Sequence, residues 1–197
     1  MNVLLNRVRI AAILAVAATS LIWVCQAAAN PMKDIENLTP PRTAVCFFEG
    51  EKFADLVLNA RGKLTFLYVD RKFANALGRQ RKAEYDRGTF SGIPSQIFAY
   101  ATKSKRRHVL FITRVQALRG WAFDTSMLSI GGYSPVKENI ITGISDNPYL
   151  ELKFGEHSLT QNYDGYIGFF VPAENVKPGE TINLGYAEDL VEWQVPN

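Results

Sequence analysis

Residues 181–195 read TINLGYAEDLVEWQV. In the first part Ile182, Leu184 and Tyr186 alternate with Thr181, Asn183 and Gly185. In the second, Val191, Trp193 and Val195 oppose Glu192 and Gln194. A period of two over several residues is the pattern of a half-buried strand, because successive side chains leave opposite faces of the pleated backbone. Trp193 is therefore expected inside, with Val191 and Val195, while Glu192 and Gln194 face water.

Working outward, the chain after residue 42 is a series of short apolar runs separated by turn residues. The runs are 43–48, 54–58, 64–69, 96–101, 109–118, 121–123, 127–130, 139–144, 149–154, 165–171, 181–186 and 190–195. Several are rich in β-branched and aromatic residues, as strands are. Within 149–154, Leu150, Leu152 and Phe154 share one face and Glu151 and Lys153 the other. Residues 109–112 are apolar on both faces, which predicts a central strand. Turn chemistry falls between the runs. Lys177-Pro178-Gly179-Glu180 has proline and glycine where a type II turn needs them. Gly62 ends a turn after Asn59, and Asp164-Gly165 marks another reversal.

The expectation is an all-β fold: one antiparallel two-sheet sandwich over residues 43–197, immunoglobulin-like in outline, with a closed β-barrel as the alternative. The Cys–Trp–Cys arrangement of antibody domains is absent, so the likeness is one of architecture. Phe73 and Leu77 allow a turn or two of helix within 71–77. Residues 78–92, GRQRKAEYDRGTFSG, are charged and poorly periodic and are expected as a long loop.

The start of the chain has another character. Arg7 and Arg9 precede a charge-free run from Ile10 to Cys25, and Ala27-Ala28-Ala29 follows. This is the pattern of a secretory signal peptide over residues 1–29, with cleavage before Asn30. The apolar run has 16 residues, short of the roughly 20 that span a bilayer. Val24 and Trp23 before Cys25 are too large for a lipoprotein cleavage site. Residues 30–42, with two adjacent prolines, are expected as a flexible leader. Cleavage removes two arginines and no acid, which lowers the net charge from +3 to near +1. A basic pI thus says little about nucleic acid, which is not an expected partner. Cys46 is then the remaining cysteine, among apolar neighbours that favour a buried thiol.

Charge is uneven along the mature chain. Residues 71–107 hold ten Lys and Arg against two acids, whereas 108–197 hold five against eleven. The candidate anion-binding residues are Arg79, Arg81, Lys82, Arg87, Lys103, Lys105, Arg106 and Arg107. They suit lipid head groups or an acidic glycan, or simply keep a loop and a sheet edge solvated.

Catalytic signatures are weak. His108 sits beside Arg107, a poor setting for a base. His157, near Glu156, Ser158 and Asp164, is expected as a surface-loop histidine. No Gly-x-Ser-x-Gly or His-Glu-x-x-His pattern occurs. No catalytic residue, metal ligand or cofactor is assigned. The acidic turns Ser145-Asp146-Asn147, Asp164-Gly165 and Glu188-Asp189 could offer oxygens to calcium, yet these residue types favour turns by themselves. Trp121, Phe123 and Tyr133 are expected in the core, with Gly131-Gly132 permitting a bend.

The chain is expected to be exported, to the periplasm or beyond. Its expected role is non-enzymatic, in binding or assembly at the cell envelope with an unknown envelope component. The alternatives are an anionic-surface binding module built on residues 79–107 and a small secreted hydrolase centred on His157.

Overall fold

The computed structural model describes residues 38–53, 56–86, 107–144 and 147–197, with side chains in the helix described as far as Gln80. Residues 1–29, expected as a signal peptide, residues 30–37 of the expected leader and the run 96–101 lie outside the described residues. The unit is mostly β, with antiparallel sheets that do not close into a barrel.

The strands are β1 (Thr43–Phe48), β2 (Glu51–Phe53), β3 (Leu56–Leu58), β4 (Gly62–Val69), β5 (His108–Ala117), β6 (Trp121–Asp124), β7 (Leu128–Ile130), β8 (Ile140–Ile141), β9 (Glu156–Leu159), β10 (Asp164–Pro172), β11 (Thr181–Tyr186) and β12 (Asp189–Gln194). The main sheet has the order β1-β4-β5-β10-β8. β5 is its central strand, and Leu110, Phe111, Ile112 and Thr113 are all buried, as the two-sided apolar run predicts. A second sheet has the order β12-β11-β7, and β2-β3 and β6-β9 form two-stranded ribbons.

Strand alternation divides the buried side chains between two cores. On one face of the main sheet, Phe66, Phe111 and Phe169 pack with Leu128, Leu184, Tyr186 and Trp193 from the β6, β7, β11 and β12 side. Each such side chain taken from water contributes about 1.5–3 kcal/mol. In β12, Trp193 is buried while Glu192 and Gln194 are exposed, so the strand phase is the one its alternation implies. Gly179 has φ +79° and the Glu180 amide donates to the Lys177 carbonyl at 3.1 Å, which forms the expected turn before β11.

On the other face, Leu110, Ile112 and Ile141 meet Phe73, Ala74 and Leu77 of a helix, α1 (Arg71–Asp86). The helix extends the turn or two expected within 71–77 and sits in a mostly β unit, and it corrects the long loop expected over 78–92: residues 78–86 are helical, and 87–92 lie outside the described residues. Two causes account for it. The Asp70 carboxylate accepts from the Phe73 amide at 2.7 Å and the Asp70 carbonyl from the Ala74 amide at 2.9 Å, which starts the helix with an N-cap. Beyond Leu77 the chain is Arg, Gln, Lys, Ala and Glu, strong helix formers that carry the helix past Gly78 at a cost of about 1 kcal/mol. The helix is neither long nor apolar enough to cross a membrane.

The packed unit begins before Thr43. Pro40–Arg42 form a 3-10 turn and Arg42 is buried. Its guanidinium donates to Asp70 at 2.6 Å and to the Leu38 carbonyl at 3.1 Å. The Trp193 indole N–H donates to the Pro41 carbonyl at 3.2 Å. The last residues of the segment expected as a leader are thus pinned between α1 and β12. β12 also runs beside β1, where side chains bridge the two: the Cys46 thiol donates to the Asp189 carbonyl at 3.2 Å and the Glu49 amide to the Asp189 carboxylate at 2.9 Å. Neither strand ladders to the other among the described residues.

Several expected strands differ. Residues 147–150 turn, because Asn147 caps the Tyr149 amide at 3.1 Å and Pro148 opens a 3-10 turn, so the strand falls at β9 instead of 149–154. Asn139 closes another 3-10 turn and leaves a strand at Ile140–Ile141. The reversal placed at Asp164-Gly165 occurs earlier, at Asn162 (φ 68°), and Asp164 opens β10. Before β4 the positive φ falls on Asn59 (58°), and β4 pairs with β1 and β5 rather than with β3.

Candidate functional site

The exposed feature that stands out is the β2–β3 ribbon, an extension of the β1–β4 hairpin beyond Gly50. Its register opposes Glu51 to Leu58, Lys52 to Val57 and Phe53 to Leu56. Opposed residues share a face and the period is two. Glu51, Phe53, Leu56 and Leu58 therefore lie on one face, and Lys52 and Val57 on the other. Phe53, Leu56 and Leu58 are 69%, 63% and 47% exposed. The opposite face looks into a slot of about 90 Å³ lined by Val45, Phe47, Gly50, Val57, Leu190 and Val191. A Cβ at Gly50 would lie 2.4 Å from Val57 Cγ1, so the absence of a side chain there lets the ribbon fold down onto the sheet edge. Arg61 holds the ribbon's base, with its Nε 2.5 Å from the Glu49 carboxylate and its Nη1 donating to the Gly120 carbonyl at 3.2 Å.

Sequence reading missed this surface. It took 54–58 as one of the apolar strand runs, whereas Leu56–Leu58 pair with Glu51–Phe53 and two of the three are exposed. Composition cannot tell an exposed apolar run from a buried one. A signal was present: Phe53 and Leu56 are separated by two residues, the spacing of a tight hairpin.

The basic segment is only partly described. Arg79 lies exposed on α1. Arg81 and Lys82 continue that helix, their side chains outside the described set. Arg87, Lys103, Lys105 and Arg106 lie outside the described residues. Arg107 is exposed in the turn before β5, where its carbonyl accepts from the Ala173 amide at 2.8 Å. Arg107 and His108 line a cleft of about 550 Å³ whose other described walls are Pro172, Ala173 and Glu174. The His108 ring stands edge-on to Phe170 at 6.5 Å.

His157 lies on β9, half-buried, not on the surface loop expected for it. Its Nε2 is 2.8 Å from the Lys153 carbonyl, which only accepts, so Nε2 carries the hydrogen in that bond. The ring tilts against Phe123 at 6.5 Å. Glu156 and Ser158 are exposed and alternate to the opposite face of the strand, so they do not converge on the imidazole. Asp164 is held by both Arg114 Nε, at 2.7 Å, and Arg114 Nη2. That pairing lowers its pKa below the usual carboxylate value.

The acidic turns are likewise tied down locally. The Asp189 carboxylate takes the Glu49 amide and Asn147 takes the Tyr149 amide, while Ser145 and Asp146 lie outside the described residues. Among the described residues no three His, Cys, Asp or Glu side chains gather as a metal-binding group. Trp121 and Phe123 are buried and Tyr133 is half-buried. Gly131 and Gly132 take φ of +56° and +79°, and the Gly131 amide donates to the Asn183 carbonyl at 2.8 Å, so this pair builds a turn against β11.

The chain matches no protein-family model, no curated protein and no solved structure.

Proposed function

We propose that this is an exported, non-enzymatic β-sandwich protein, immunoglobulin-like in outline, with a binding or assembly role at the cell envelope, and that the β2–β3 ribbon is its acting surface. The observation that carries this reading is the exposure of Phe53, Leu56 and Leu58 on one face of a ribbon that stands clear of both cores. A two-stranded ribbon alone is marginally stable in water, and a contiguous exposed apolar face marks an interaction site. The hydrophobic run and alanines of residues 1–29 support export to the periplasm or beyond. A binding role is supported over hydrolysis by the engagement of His157 with a main-chain carbonyl and of Asp164 with Arg114.

The test is a photo-crosslinking residue placed at 53 in the full chain, expressed in its own host, with the same residue at 158 as control. Processing before Asn30 and an adduct at 53, absent at 158, are expected. An exported protein that forms no adduct at 53 overturns the reading.

A second reading, docking to an anionic surface, is favoured by Arg107 and His108 at the wall of the 550 Å³ cleft. Each basic residue near an anionic membrane adds about 1 kcal/mol. Binding to anionic vesicles should fade between ~0.1 M and ~1 M salt, as the Debye length falls from about 10 Å to about 3 Å. A variant with serine at 103, 105, 106 and 107 should bind less. Equal binding by both proteins returns these charges to the solvation of a strand end.

A further inference from the structure

We infer that the partner of the ribbon is a second copy of this chain, added edge to edge along β3 in an antiparallel two-fold pair. The inference rests on the reading of the ribbon as the acting surface.

β3 ladders to β2 alone among the described residues, so its other edge offers N–H and C=O groups to a further strand. Exposed edges are ordinarily guarded by a charge, a proline or a bulge. Leu56-Val57-Leu58 is short, with three residues, but carries no charge, proline or bulge. Of the other edges, β8 is limited to two residues, and β1 and β12 lie against each other through Cys46, Glu49 and Asp189.

The triplet is also symmetric about Val57. A two-fold axis at Val57 sets Leu56 of one copy opposite Leu58 of the other. The result is a four-stranded antiparallel sheet with Phe53, Leu56 and Leu58 of both copies on one face. A sheet of three or more strands with an apolar face is stable where a lone ribbon is not. Charge permits the pairing. The two Glu51 side chains sit on the outer strands at opposite corners, about 16 Å apart by ordinary strand and residue spacings, about twice the Debye length in physiological salt. A bilayer fits less well, because the two residues that join Phe53 to Leu56 in the sequence include Asp55, a carboxylate that is costly to take into lipid. Three residues make a short seam, so the dimer is a reversible one.

Sedimentation velocity across a concentration series reads the association directly. The wild-type chain should show a reversible monomer–dimer equilibrium. Leu56→Lys with Leu58→Lys, and separately Leu56→Glu with Leu58→Glu, should each weaken self-association by about tenfold or more, since like charges then face across the axis. An equimolar mixture of the two variants should restore a dimer containing one of each. Circular dichroism of each variant establishes that the sheets remain folded. A wild-type chain monomeric up to ~1 mM, the weakest affinity of interest, overturns the inference, as does a mixture that stays monomeric. Binding to neutral vesicles that both variants lose also overturns it and assigns the ribbon to lipid. An adduct at residue 53 with a different protein, together with a monomeric chain, leaves the binding role standing and removes only the self-pairing.

Discussion

Replacing Trp193 with alanine tests the packing of the whole β side of the molecule. Trp193 is 8% exposed and its ring stands edge-on to Tyr68 at 5.7 Å and to Phe111 at 6.2 Å. A tryptophan side chain buries roughly 150–250 Å², worth about 4–6 kcal/mol at about 25 cal/mol per Å². Compact unfolded chains already hide roughly 10–40% of such area, which brings the expected loss to about 3–5 kcal/mol, the range seen for large aromatics cut to alanine. The indole hydrogen bond to Pro41 adds little, since Pro41 is exposed and water replaces the donor. For a unit of this size each kcal/mol moves Tm by roughly 2–4 °C. Trp193→Ala should therefore melt roughly 6–20 °C lower, while Trp193→Phe, which keeps the aromatic contacts, should lose less than half as much. Thermal unfolding followed by far-ultraviolet circular dichroism gives both values. An unchanged midpoint for Trp193→Ala would refute the strand phase and with it the assignment of Glu192 and Gln194 to the surface.

Two further substitutions probe the edges of that core. Asp70→Ala removes the α1 cap and leaves Arg42, 2% exposed, without its carboxylate, so a loss of roughly 3–5 kcal/mol is expected in urea. Adding Arg42→Met should recover part of it, and a double variant as unstable as the sum of the two singles would show that the pair is not coupled. The Cys46 thiol is pushed up to about 11, first by burial and then by the Asp189 carboxylate. In a Cys25→Ser chain it should react with a disulfide reagent at pH 8 about a hundredfold more slowly when native than when denatured, because the thiolate is what reacts. Equal rates would place Cys46 at the surface.

The β12 and β5 strands were legible because alternation and two-sided apolarity are direct consequences of backbone pleat and burial. The second half of α1 was not. Gly78 to Lys82 contains no large apolar residue, so no period of 3.6 can show there. The usable sign lay upstream, in Asp70 three residues before Phe73. The ribbon's exposure was hidden for a different reason. Whether Leu56 and Leu58 face a core or water depends on how β1 and β4 bend at Glu49–Gly50 and Asn59–Arg61, and hence on what stands beside them in space. The failed strand at 149–154 shows local chemistry winning over alternation: Asn147 and Pro148 impose a turn, which leaves Phe154 exposed. For the candidate site, the charge asymmetry of the chain was legible, but only Arg79 and Arg107 of that cluster have described side chains.

The bridges from β12 to the first residues of the unit join points far apart along the chain: Trp193 and Pro41 are separated by 152 positions, Asp189 and Glu49 by 140. β1 can zip to β4 as soon as both exist, but its second flank stays uncovered until the last strand is synthesised. Loop closure over such spans is slow, and a chain dominated by distant pairings folds late. A nascent chain lacking residues 189–194 thus holds a bare β1 edge and an Arg42 turn with one of its two anchors missing. The contacts that lock the unit therefore cannot form until β12 has joined the rest.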